Sequence, residues 1–170
     1  MHDPSDLLTR EILHRLVAFA GVCFPDGTLV EANEPALAVG GFTRDDVLGQ
    51  KFWDCPWWSH DPAEQARLRD AVDQVAAGHT VRYDAVVRMA GDEFITIDFM
   101  LAPLTGDAGR VTHLIPSATD ITDRVAAQRQ AVRQFGLIQS IYDTTPVALW
   151  TFDRDLRFER ANPALWTWSA

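Results

Sequence analysis

Val81-Arg82-Tyr83-Asp84-Ala85-Val86-Val87-Arg88-Met89-Ala90-Gly91-Asp92-Glu93-Phe94-Ile95-Thr96-Ile97-Asp98-Phe99-Met100-Leu101 is the stretch that decides the fold class. Val81, Tyr83, Ala85 and Val87 alternate with Arg82, Asp84 and Arg88, and a period of two puts the first set on one face of a strand. Ala90-Gly91-Asp92 is turn chemistry, after which Ile95, Ile97, Phe99 and Leu101 resume the alternation. Pro103 to Gly109 reads as a loop and Val111 to Ala118 as a third strand. Three consecutive strands of this kind form an antiparallel meander. Val86, Phe94 and Met100 fall on the other parity, so the outer sheet face needs a cover from an amphipathic helix or a partner subunit.

Upstream, Asp61-Pro62 opens a helix whose apolar positions are Ala63, Leu68, Ala71, Val72 and Val75, and Gly78 ends it. Val17 to Phe24, the turn Pro25-Asp26-Gly27 and Leu29 to Ala32 predict a hairpin. Between Asn33 and Trp58, Gly40-Gly41, Gly49 and Pro56 leave room only for short helical turns. Residues 1–16 read as an N-terminal amphipathic helix carrying Leu8, Ile12 and Leu16 at helical spacing. Downstream, Thr122 is a candidate N-cap with Asp123 in the first turn, and Val125, Val132, Phe135 and Ile138 recur at helical spacing. Residues 122–142 are therefore a connector helix. Its stripe is too narrow for a core face and suits pairing with another helix.

The 170 residues are 47% apolar and 23% charged, which is globular composition, and the length allows one domain with accessories or one domain and part of another. Against 15 Lys+Arg stand 24 Asp+Glu, a net charge of −9, and Lys51 is the sole lysine. No basic stripe exists to neutralise phosphates, so nucleic acid and anionic membranes are poor partners. The longest apolar run has eight residues where a membrane span needs about 18, and no leader pattern precedes it, which predicts a cytoplasmic protein. Two distant cysteines, Cys23 and Cys55, fit a reducing compartment.

One internal repeat stands out. Phe24-Pro25-Asp26-Gly27-Thr28-Leu29-Val30-Glu31-Ala32-Asn33 recurs as Phe152-Asp153-Arg154-Asp155-Leu156-Arg157-Phe158-Glu159-Arg160-Ala161-Asn162, with one residue inserted in the second copy. Glu34-Pro35-Ala36-Leu37 is echoed by Pro163-Ala164-Leu165. Asn33 and Asn162 are 129 residues apart, with eight residues after the second.

The order of hairpin, Ala-Asn before short helices, longer helix, meander and Asp120-Ile121-Thr122-Asp123 resembles a PAS sensor domain with its C-terminal PAC portion. The stretch from Gly49 through Phe52, Trp57-Trp58 and the following helix is similar to those in bacterial sensor histidine kinases. The resemblance implies an α+β PAS fold: an antiparallel sheet of about five strands, short helices and one longer helix on one face, with flanking N-terminal and C-terminal connector helices. It divides the chain into an N-terminal helix (1–16), a PAS domain (17–121), a connector or signalling helix (122–142) and the beginning of a second, incomplete PAS domain (143–170). The aromatic residues of that last segment should pack on a neighbour or on the first domain.

The resemblance also implies a non-enzymatic sensor and dimerisation module of a signal-transduction protein. A small-molecule or partner signal would leave through the C-terminal helix to a kinase effector. Ligand-pocket candidates are Trp53, Trp57, Tyr83, Ile97, Phe99 and His113, with Phe52 and Trp58 in the same aromatic cluster. Asp120 and Thr122 are the signal-relay candidates, because such a pair at a strand-to-helix junction can fix the angle at which the helix leaves. A homodimer would form through Leu8, Ile12, Leu16, Val125, Val132 and Phe135. The alternative is a ligand-free interaction scaffold.

Other chemistries fit poorly. Gly91-Asp92-Glu93-Phe94 resembles the hairpin of diguanylate cyclases but is one residue short, and no metal-binding aspartate strand precedes it. Cyclase signalling is thus a distant alternative. Gly49-Gln50-Lys51-Phe52-Trp53-Asp54-Cys55 lacks the flavin-linking motif of LOV domains, and its cysteine comes three positions late. Residues 63–77 contain no histidine to serve as a haem ligand, which disfavours haem as the cofactor; His14, His60, His79 and His113 read as structural. No metal-ligand cluster or catalytic constellation stands out.

Overall fold

The computed structural model describes residues 18–107 and 109–167. The helix expected over residues 1–16, with Leu8, Ile12 and Leu16, lies outside the described residues. The chain divides into two compact units, the first ending at Thr122 and the second starting at Asp123.

In the first unit the described strands are β1 (Phe19–Cys23), β2 (Leu29–Ala32), β3 (Val81–Arg88), β4 (Phe94–Thr105) and β5 (Val111–Asp120). They form one antiparallel sheet in the order β2-β1-β5-β4-β3. This is the α+β arrangement expected from the alternation and the PAS resemblance. Between β2 and β3 run α1 (Glu34–Gly40), α2 (Arg44–Val47), a 3-10 turn (Phe52–Asp54) and α3 (Pro62–Ala76). Asp61 caps α3 by accepting from the Ala63 N–H at 2.8 Å. Leu68, Ala71, Val72 and Val75 are its buried positions, and Ala63 lies in the exposed first turn instead.

Cross-strand partners share a sheet face. Tyr83 opposite Phe99, Ala85 opposite Ile97, Phe99 opposite Ala118 and Leu101 opposite Pro116 therefore define the inner face. The helices cover it, and Phe99, Leu101 and Leu114 are almost fully buried there with Leu68, Val72 and Val75. On the outer face Val86, Phe94, Met100 and Leu104 are exposed beside the Arg82–Asp98 ion pair.

Strand β1 stops at Cys23, one residue short of the expected Phe24, and two further strand boundaries differ from expectation. Strand β4 continues through Pro103 to Thr105, where the sequence reads as a loop. Strand β3 ends its pairing at Val81 opposite Leu101, so at Pro103 only β5 remains beside β4 and the missing N–H interrupts no ladder. Strand β5 runs on to Asp120, carrying the sheet to the start of the next helix.

The second unit consists of α4 (Thr122–Thr144, beginning at the last residue of the first unit), the hairpin β6 (Trp150–Phe152) and β7 (Phe158–Ala161), and α5 (Ala164–Thr167). Its hairpin reproduces that of the first unit at a constant offset of 129, so the inserted residue read from the sequence is not there. Gly21 opposite Ala32 becomes Trp150 opposite Ala161, and Cys23 opposite Leu29 becomes Phe152 opposite Phe158, with the bulge at the same place. Phe24 therefore matches Asp153, not Phe152. Each donates its N–H across the turn, to Thr28 O and Arg157 O respectively, both at 2.9 Å. The left-handed turn residue Gly27 (φ 82°) becomes Leu156 (φ 58°), which adopts a conformation costly for a branched side chain. That loss of glycine disguised the register in the sequence.

Candidate functional site

A cavity of about 60 Å³ lies between the inner sheet face and the short helices. One water needs roughly 10–15 Å³ by this measure, so the space has room for several waters. Strand β1 contributes Phe19 and Gly21, β5 contributes Pro116 and Ala118, and β4 contributes Ile97 and Phe99. Ala36 of α1, Phe52, Trp57 and Trp58 close the helical side.

The cavity has a sequence cause at the seam of β1 and β5. Phe19, Ala20 and Cys23 pair with Ala118, Ser117 and Leu114, and the ladder is broken between them, where Pro116 has no N–H to give. Gly21 sits in that gap with no side chain to fill it. A Cβ there would come within 2.7 Å of Glu31 O and 3.3 Å of the Pro116 ring.

The aromatic wall is built edge to face. Trp58 meets Phe52 at 5.6 Å and Phe99 at 5.4 Å, with interplanar angles of 82° and 73°. Trp57 packs edge-on to Phe42 at 5.5 Å and lies so close to α1 that a Cβ on Gly40 would sit 2.5 Å from its indole nitrogen. Trp57 also holds the sheet, since its carbonyl accepts the Arg88 N–H at 2.9 Å.

Of the expected pocket residues, Trp57, Ile97 and Phe99 come together on the cavity wall, and Trp53, Tyr83 and His113 do not. Trp53 lies on the 3-10 turn next to inward-facing Phe52 and points over the β1–β2 turn. It covers Gly27, with Lys51 Nζ 5.9 Å and Arg69 Cζ 5.1 Å from its ring. Tyr83 is on the inner face beyond the cavity, edge-on to Phe99 at 5.3 Å under the Arg67 guanidinium, which sits 3.8 Å from its ring centre. Burial, with the Glu64 carboxylate nearby, pushes its hydroxyl up to about 12. His113 is opposite Leu104 and therefore on the outer face, where its ring lies 5.6 Å from Phe24. Residues on the wall that the sequence did not single out include Gly21, Ala36, Met89 and Pro116. A proline in a would-be central strand was the signal available for the last.

The relay candidates form a compact junction. Asp120 Oδ1 accepts the Thr122 N–H at 2.8 Å, and Thr122 Oγ1 accepts the Thr96 N–H at 3.0 Å. Thr96 O in turn accepts the Ile121 N–H at 2.9 Å. The first residue of α4 is thus bonded both to the end of β5 and to β4. Of the connector residues, Val125 is half-buried while Val132 and Phe135 are exposed.

Remaining candidates have structural surroundings. Cys55 is fully buried, its Sγ 3.5 Å from Lys51 O, and burial raises its thiol to about 12, which suppresses the reactive thiolate. It does not border the cavity. Asp92, in the Gly-Asp-Glu-Phe stretch, pairs with Arg88 at 2.9 Å on an exposed turn. His60 packs on Phe94 at 5.1 Å, and His79 lies against Gln74 O at the end of α3. Among the described residues no group of His, Cys, Asp and Glu is placed to hold a metal, and no helix is long and apolar enough to cross a membrane.

Comparison with known proteins agrees with this geometry. Hybrid signal transduction histidine kinase D of Dictyostelium discoideum is 34% identical over 141 residues, 82% of this chain and 9% of the relative. Sensor histidine kinase TmoS of Ectopseudomonas mendocina is 29% identical over 71% of this chain and 13% of the relative. The chain thus spans about a tenth of the length of these relatives. An RNA-binding light-oxygen-voltage receptor superposes with a TM-score of 0.64 at 28% identity, covering 81% of this chain and 38% of that one. The PAS domain of Bordetella pertussis BvgS superposes at 0.60 with 20% identity, covering 79% of this chain and 98% of that one. The profile of the PAS fold matches residues 13–126, and the chain belongs to that family.

Proposed function

We propose that this chain is a cytoplasmic PAS sensor and dimerisation module of a signal-transduction protein, with a histidine kinase as its effector. The observation that carries the proposal is continuity: Pro116 and Ala118 of β5 form one wall of the cavity, and the same strand ends at the Asp120–Thr122 junction holding α4. A small molecule pressing on the Gly21–Pro116 seam would shift the end of β5 and so the departure of α4. Homology to sensor histidine kinases supports the effector, which would belong to the length of those relatives that this chain does not span. The chemistry assigned to this segment is binding and relay, not catalysis.

The repeated hairpin supports a second PAS unit beginning near residue 143, with α4 between the two. The exposed rings of Trp150, Phe152 and Phe158 would then face the remainder of that unit's sheet. Native mass spectrometry with sedimentation tests the proposal. A dimer carrying a small-molecule adduct is expected. A strict monomer that binds nothing across a panel of small apolar compounds would sink both sensing and dimerisation.

A further inference from the structure

Among the described residues the lining of the cavity reaches the surface at one place. Phe19, Ala36 and Ser117 are half-buried, and the other lining residues are buried. Ser117 stands opposite Met100, so its side chain and its exposure belong to the outer sheet face. Phe19 stands opposite Ala118 on the inner face and packs against the core. The way between cavity and solvent therefore runs between Phe19 of β1 and Ala36 of α1. One side chain frames this mouth. Asn33 Oδ1 accepts from the Ala20 N–H at 3.0 Å and from the Ala36 N–H at 3.2 Å, which brings β1 and α1 to a single oxygen. Its Nδ2 donates to Ala18 O at 2.8 Å, and its backbone N–H donates to Ala20 O at 2.8 Å. The backbone on both sides of Phe19 is thus pinned, as is the first turn of α1. Ala36 has no side-chain atom beyond Cβ to move. That leaves the Phe19 ring, which being half-buried gives up fewer contacts on turning aside than the almost fully buried Trp58 or Phe99 behind it.

We infer that Phe19 is the gate of the cavity: a small apolar molecule passes between β1 and α1 when the ring turns aside, within a frame that Asn33 holds fixed. This rests on the reading of the cavity as a ligand site and adds its route of access. A barrier on the path sets the rates of entry and exit together and leaves their ratio, the affinity, to the walls. Phe19 would thus select ligands by rate.

The test uses xenon, an apolar atom of the kind that dry apolar cavities take up. Shifts of the Gly21 and Ala118 amides mark the site on the 170-residue chain, and xenon-129 saturation transfer gives the entry and exit rates. Phe19→Ala should raise both rates by about 5- to 10-fold and keep their ratio within about threefold, because the contacts that the ring gives up at each opening no longer oppose passage. Phe19→Trp should slow both, which keeps the sign of the effect testable if the alanine variant fails to fold. If Phe19 serves only as wall, Phe19→Ala raises exit and leaves entry unchanged, and the gate fails while the ligand site stands. Unchanged rates in both variants mean another route and have the same consequence. If xenon leaves the Gly21 and Ala118 amides of the wild-type chain unmoved, the ligand site itself fails and the gate with it.

Discussion

Tyr83 shows what a single position in this sheet can and cannot reveal in advance. Its alternation with Arg82 and Asp84 correctly assigns it to the inner face, but the cavity lies further along the sheet, and Tyr83 packs between Phe99 and Arg67. Its buried hydroxyl has no partner among the described residues. Because burial raises its pKa to about 12 from an unfolded value near 10, the fold favours the neutral phenol. That contribution is complete below about pH 10 and is lost as pH rises toward about 12. Cys55, raised to about 12 by burial, acts in the same direction. The part due to Tyr83 is isolated by Tyr83→Phe, which keeps the ring. Urea unfolding should find the variant within about 1 kcal/mol of wild type at about pH 9. Near pH 11.5 wild type should have lost about 1–2 kcal/mol relative to it, after allowing for partial exposure of the group. Parallel curves would mean that the phenol is not shielded. His113 illustrates the complementary limit. In β5 both parities carry apolar residues, Val111 and Ile115 on one and Leu114, Pro116 and Ala118 on the other. Only the register against β4, which periodicity within β5 does not record, selects the inward set.

At the level of the element, the two hairpins are the most informative comparison, since each is tied by an asparagine at the same place. Asn33 Oδ1 accepts from the Ala20 N–H at 3.0 Å and the Ala36 N–H at 3.2 Å, and its Nδ2 donates to Ala18 O at 2.8 Å. Asn162 repeats this 129 residues later, accepting from the Leu149 N–H at 2.9 Å and donating to Val147 O at 2.9 Å. It also donates to Tyr142 O at 3.0 Å, a carbonyl in the last turn of α4. The Ala-Asn sequence signal was thus legible as a repeat. Its cause, a side chain tying the strand before the turn to the strand after it, was not, because the bonded groups are 13 residues away in each copy. Asn33→Ala orphans the buried Ala20 N–H, the half-buried Ala36 N–H and the Ala18 carbonyl, and should cost about 2–4 kcal/mol in urea unfolding of the first unit. Asn162→Ala should leave that transition in place. Hydrogen exchange should instead show lost protection around residues 142–149, where the end of α4 and the start of β6 depend on it. A shared loss of stability in both units from either variant would contradict their separate bonding.

For the whole molecule, composition and exposed apolar surface make opposite demands on self-association. Helix α4 leaves Val132, Phe135 and Ile138 each about two-thirds exposed, and the outer sheet face exposes Phe94, Met100 and Leu104. Exposed apolar side chains grouped on one element are where the proposed self-association would be sought. Yet each copy carries a net charge of −9, so two copies repel at long range. If the proposed dimer forms through the apolar stripe of α4, salt should strengthen it, because screening shortens the Debye length from about 30 Å at 0.01 M to about 8 Å at 0.15 M and leaves the buried contacts untouched. An interface built on ion pairs would respond in the reverse sense. Sedimentation equilibrium should therefore show dimerisation tightening over that range of salt, and the Val132→Asp, Phe135→Asp double variant should be monomeric throughout. Met100→Asp, on the sheet face, distinguishes the two surfaces. Its dimer should persist if α4 is the seam, and its dissociation, with the helix variant remaining dimeric, would transfer the interface to the sheet.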